Sequence, residues 1–109
     1  MHQLKNRVFK LVANNDGHAA NATTMQFGSK THPCTATYSG PNVRFGQVIV
    51  EDNEMLYQAI ESNGKLSAGR ANITLEEMDG ERLVMRLEWT WLTGDLSSGV
   101  SIWRESHSK

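Results

Sequence analysis

Cysteine, proline and net charge are all scarce in this chain, and each scarcity removes a class of protein. A single cysteine, Cys34, permits no intrachain disulfide, so a reducing compartment, most simply the cytoplasm, is expected. Lys+Arg number 11 against 12 Asp+Glu, a formal net charge of −1. That balance supplies none of the attraction that dominates nucleic-acid binding and favours no anionic membrane face. No apolar run is long enough to cross a bilayer as a helix, and Lys5, Arg7 and Lys10 are followed by no signal-peptide core. Neither nucleic acid nor membrane is therefore an expected partner. The phosphate-loop, dinucleotide, serine-hydrolase and zinc-hydrolase motifs are missing too, so no cofactor is implied. His2, His18, His32 and His107 lie at termini or in turn-like segments. His32 and Cys34 fall on one side of an extended stretch, yet two ligands are too few for a metal site. A chain of 109 residues buries one core without staples, so residues 1–109 read as one domain.

Two-residue periodicity is what the chain does have. In Leu83–Trp91 every odd position is apolar and the even ones are mostly polar or charged, the pattern of a strand with one buried face. No comparable window repeats at three and four residues, which predicts an all-β domain. Eight strands are expected at about residues 7–13, 23–30, 33–39, 43–52, 55–62, 66–78, 82–92 and 98–106. Asn15-Asp16-Gly17, Ser39-Gly40-Pro41-Asn42, Asp52-Asn53, Asn63-Gly64 and Asp79-Gly80 separate them, and these residues accept tight turns. Strands joined so closely must run antiparallel, which gives an up-and-down meander. Curling it until first meets last removes both unpaired edges, so a small lipocalin-like barrel is expected. Within strand six, Ser67, Gly69, Ala71, Ile73 and Leu75 form an inner face that grows from small to large and leaves space near Gly69. The Ala/Asn-rich stretch from Val12 to Ala22 is loop-like and of a length to fold over a barrel mouth.

Tyr38-Ser39-Gly40, Gly46, Met55-Leu56-Tyr57, Asn63-Gly64-Lys65-Leu66 with Gly69, and Trp89-Thr90-Trp91-Leu92-Thr93-Gly94-Asp95 running to Ser98-Gly99 resemble a family of small bacterial proteins. Members often carry the label N-acetylglutamate synthase. The resemblance runs from about Phe9 to Glu105, and the Trp-x-Trp-x-x-Gly-Asp block is its most specific part. Acyl transfer to glutamate would require a coenzyme A site, and no pyrophosphate-binding loop precedes a helix in this chain. The resemblance therefore implies a compact β domain rather than a transferase.

Candidate ligand-binding residues follow from the barrel. Trp89 and Trp91 share a strand face about 7 Å apart, a spacing that lets two flat rings cup a ligand or fill the core with Met85 and Phe45. Tyr38, Tyr57 and Gln47 would add polar tips to that interior if they point inward. Met55, Tyr57 and Ala59 oppose Leu56 and Ile60, so alternation does not assign the faces of strand five. Val48 and Val50 likewise oppose Phe45 and Ile49, and Val100 and Ile102 oppose Trp103. Three strands with two apolar faces predict an outer patch buried in a homodimer. Glu88, on the polar face of its strand, is expected to pair with Arg86, Arg70 or Arg104. The favoured reading is a non-enzymatic binding module for a small apolar or aromatic ligand. Two alternatives are a small enzyme using Tyr57 or Tyr38 with a carboxylate, and an interaction protein acting through its dimer surface.

Overall fold

A computed structural model of the chain describes residues 4–14, 23–41, 43–78, 82–93 and 96–106. Eight strands are present: β1 (Val8–Asn14), β2 (Thr24–Phe27), β3 (Cys34–Gly40), β4 (Val43–Glu51), β5 (Glu54–Glu61), β6 (Leu66–Met78), β7 (Arg82–Trp91) and β8 (Ser98–Ser106). Each pairs antiparallel with its sequence neighbour, and β1 pairs with β8 to close the barrel. The expected all-β closed meander is the fold. Among the strands, β2 is shorter than its sequence suggests. The Gly28 N–H donates to the Thr35 carbonyl at 3.0 Å, and the chain turns away before β3 begins at Cys34.

Turn chemistry sets the β5–β6 connection. Gly64 takes a φ of +87°, its N–H donates to Glu61, and the Glu61 N–H donates to Lys65. The Lys65 N–H in turn donates to the Asn63 side chain at 2.9 Å, so both residues of the Asn63-Gly64 pair have defined work in the turn. Asp52 in the β4–β5 turn also adopts positive φ, 56°. Asn15-Asp16-Gly17, Asp79-Gly80 and most of the stretch proposed to cover a mouth lie outside the described residues.

The two ends of the barrel differ. The β2–β3 and β4–β5 turns and the start of β1 share one end, where Leu4, Phe9, Met55 and Met85 are 0% exposed and Cys34 and Phe27 are nearly so. The turn at Leu4–Asn6 docks across it, its Asn6 N–H donating to the Gly28 carbonyl at 2.9 Å. Phe9 and Phe27 meet edge to face at 5.9 Å. Arg7 reaches Glu105 at 2.5 Å, and the same carboxylate oxygen accepts the Leu83 N–H at 3.0 Å. Buried Trp103 donates its indole N–H to Ser101 at 2.9 Å, which satisfies the one polar atom it carries inward. This end is packed shut. The opposite end, where β5 meets β6 and β7 runs toward β8, carries smaller inner residues among those described and is taken as the barrel mouth.

Two inward assignments are corrected here. Phe45 is 49% exposed, and Gln47 is exposed and accepts a 3.3 Å hydrogen bond from Gln58 on the outer wall. Gly46, Val48 and Val50 take the inner positions of β4 instead. The register slips between Val43 and Phe45, and the Tyr38 ring occupies the space beside Gly46 that a side chain there would need. Met85→Ala should therefore cost about 2–5 kcal/mol in a urea titration. Phe45→Ala should cost less than about 1 kcal/mol, as surface changes do.

Candidate functional site

Three aromatic rings line the mouth. Tyr38 on β3, Tyr57 on β5 and Trp91 on β7 stand two strands apart, which in a ring of eight is a rotation of about 90°. The ring geometry follows that rotation: Tyr38 and Tyr57 have ring centroids 6.5 Å apart at 83°, and Tyr57 and Trp91 5.0 Å apart at 87°. Each ring thus packs edge to face against the next on the inner side of the barrel.

Glycines on the intervening strands let the two tyrosines lie against the wall. A Cβ placed on Gly46 would come within 2.6–2.7 Å of three Tyr38 ring atoms, so the ring lies over that glycine. A Cβ on Gly69 would meet Tyr57 ring atoms and the Thr90 carbonyl oxygen at 2.6 Å. The space expected near Gly69 is therefore filled by Tyr57, whose hydroxyl reaches on to donate to the Thr90 carbonyl at 3.2 Å. The register explains both contacts: Tyr38 pairs with Gly46, and Tyr57 with Gly69, which in turn pairs with Trp91.

Two polar residues complete the mouth. Ser67, 6% exposed, lies across from Ala59 and donates its hydroxyl to a carboxylate oxygen of Glu61. Tyr38 is 8% exposed, and among the described residues its buried hydroxyl has no hydrogen-bond partner. Such an atom carries a desolvation cost that a bound partner would relieve. Both phenols are pushed above the ordinary tyrosine range. For Tyr38 burial is the main cause and the charge of Glu61 the second; for Tyr57 burial again leads, followed by Tyr38, with the Thr90 bond opposing. Each therefore keeps its proton at neutral pH and acts as a hydrogen-bonding group rather than a base.

Of the residues expected to bind a ligand, Tyr38, Tyr57, Trp89 and Trp91 share the inner face. Trp89 is the deeper indole, 8% exposed and opposite Ala71, while Trp91 is half-buried at the rim. Met85 also faces inward but sits six residues from Trp91, about 20 Å along the strand, in the packed end. Phe45 and Gln47 stand on the outer wall. Glu61 is the residue sequence reasoning missed. Its signal was parity, since it continues the inward series Met55, Tyr57 and Ala59.

Elsewhere, Cys34 is 1% exposed and burial raises its thiol, so it is a core side chain. Glu88 pairs with Arg86 at 3.2 Å on the outer face, as its parity suggested. Among the described residues, no group of three or more His, Cys, Asp or Glu side chains is arranged to hold a metal ion.

These assignments yield a stability prediction and a titration. Gly69→Ala should cost about 1–3 kcal/mol, because its methyl meets backbone as well as ring. In the native state the two phenols should resist ionisation near pH 10, where unfolded tyrosines ionise freely. The unfolded chain then binds fewer protons than the folded one, so stability should fall as pH rises above about 10. Phenolate absorbance, with and without denaturant, reads the titration, and urea midpoints read the loss.

No curated protein and no solved structure matches the chain significantly. A family match does, over residues 2–106, and it overturns the resemblance to proteins labelled N-acetylglutamate synthase, for which no support is found. The eight-stranded closed meander and the match over nearly its whole length agree: the chain belongs to the avidin-like protein family.

Proposed function

We propose that this protein is a non-enzymatic binding module that takes a small flat ligand into the barrel mouth, between Tyr57, Trp91 and Trp89, with the Tyr38 hydroxyl bonding its polar edge. The observation that carries the reading is the buried, unpartnered hydroxyl of Tyr38 set among three ring walls. Avidin-like proteins bind small ligands such as biotin, which makes biotin the first probe. A reaction that used Tyr38 or Tyr57 as a base is disfavoured, since burial holds both phenols protonated.

An NMR titration with biotin and a set of small aromatic amides tests this. Ligands should shift the indole signals of Trp91 and Trp89 and the ring of Tyr57. Tyr38→Phe should leave the unliganded barrel as stable as before or up to about 1 kcal/mol more stable, because an orphaned buried hydroxyl is removed. The same change should weaken binding about fivefold or more, the loss of one hydrogen bond. Shifts confined to the outer wall would refute the reading.

The proposal extends to the outer wall as a homodimer surface. Phe45, Ile49 and Leu56 are 49%, 45% and 51% exposed, and Ile49 pairs directly with Leu56. Beside them is a depression of about 400 Å³ lined by Thr35, Gln47, Val48, Ile49, Leu56, Tyr57 and Gln58. An apolar face of this kind is buried by association in soluble proteins. In sedimentation experiments Leu56→Lys should shift the protein toward a monomer with the barrel intact, and a wild type that is monomeric at all concentrations would refute the dimer. A cytoplasmic location, in keeping with the single buried thiol, belongs to the same proposal.

A further inference from the structure

We propose that the mouth selects a flat organic cation, an amidinium or guanidinium being the best fit, with Glu61 as its counter-charge and the Tyr38, Tyr57 and Trp91 rings as its walls. This rests on the mouth being the binding site and names the chemical class it takes.

Four observations carry it. Glu61 follows the inward parity of β5 and is half-buried at the mouth, with one oxygen fixed by the buried Ser67 hydroxyl. Among the described residues the ion pairs are Arg7 with Glu105, Arg70 with Glu54 and Arg86 with Glu88, so none engages Glu61. Two basic residues close to it in sequence or on the neighbouring strand are otherwise placed: Arg44 donates to the Ser62 carbonyl at 3.0 Å, and Lys65 is exposed in the β5–β6 turn. The Tyr38 hydroxyl, buried and without a hydrogen-bond partner among the described residues, belongs to the same end of the barrel, since Glu61 pairs with Val43 and Val43 with Gly40 on the strand of Tyr38.

A half-buried carboxylate without a cation is costly, and a ligand that brings one removes that cost. The negative faces of aromatic rings act in the same direction, since they attract a cation held over them. An amidinium or guanidinium is planar and donor-only, and so matches a ring face, a carboxylate that accepts two donors and a phenol oxygen that accepts one. A carboxylate or phosphate ligand would meet Glu61 as a like charge. A neutral amide would leave Glu61 uncompensated.

Benzamidinium and benzamide, nearly isosteric and differing in charge, provide the test by isothermal calorimetry on the full chain at neutral pH and constant ionic strength. Benzamidinium should bind at least about tenfold tighter, roughly 1.4 kcal/mol. Glu61→Gln should abolish that difference while benzamide binding persists. Equal affinity of wild type for the two compounds overturns the cation inference, and shifts of the Trp91 indole by benzamide would then leave the mouth itself standing. A preference that survives in Glu61→Gln also overturns it. Absence of binding by either compound, with an unmoved Trp91 indole, overturns both readings. The wild-type comparison decides even if Glu61→Gln folds poorly, and Glu61→Asp, which keeps the charge on a shorter arm, should retain part of the preference.

Discussion

The backbone ladder between β1 and β8 is the constraint on which the rest of this molecule depends. Val8 to Leu11 pair in register with Ser106 to Trp103, and after a bulge Ala13 and Asn14 pair with Ile102 and Ser101. Without that seam the meander would present two unpaired edges and an inner face open to water. With it, every strand has two neighbours, the inner side chains are enclosed from all directions, and an inside exists in which a phenol can be buried. Closure also fixes the angular positions of the strands. That is why rings on β3, β5 and β7 meet at close to right angles rather than stacking.

Enclosure is then used differently at the two ends. Long apolar side chains fill the end capped by Leu4, where core packing is dense and the polar atoms of Trp103 and Glu105 are satisfied. Toward the mouth the inner residues alternate between large rings and glycine, alanine or serine. Gly46 and Gly69 are small because a tyrosine lies over each of them. The rings gain contact area from the bare backbone, and their other faces line the lumen. The other end holds a hydroxyl with no hydrogen-bond partner and a carboxylate with no ion-pair partner among the described residues, groups that would be destabilising in a closed core.

Parity along β7 made most of the interior legible in advance. Leu83, Met85, Leu87, Trp89 and Trp91 alternate with residues that are polar except for Val84, and that alternation marks the odd positions as the inner face. Asn63-Gly64 marked its turn because few residues tolerate positive φ. Strand β4 was not legible in this way. Phe45, Val48, Ile49 and Val50 place apolar groups on both faces, and the bulge after Val43 shifts the register in a manner no local pattern records. Phe45 and Gln47 were accordingly placed inside when they stand on the outer wall. Glu61 escaped notice for the opposite reason, since a charged residue at a strand end reads as solvated until its neighbours on the same face are known to point inward.

The sequence by itself determined the number of strands, their order, their antiparallel sense and the turns at Asp52-Asn53 and Asn63-Gly64, because alternation and turn chemistry act over a few residues. Tertiary structure alone decided which face of β4 and β5 turns inward, that Tyr57 occupies the space beside Gly69, and that Tyr38, Glu61 and Ser67 share one mouth. Those outcomes depend on which side chains meet across strands far apart in sequence, and that is set by the register and curvature of the closed sheet.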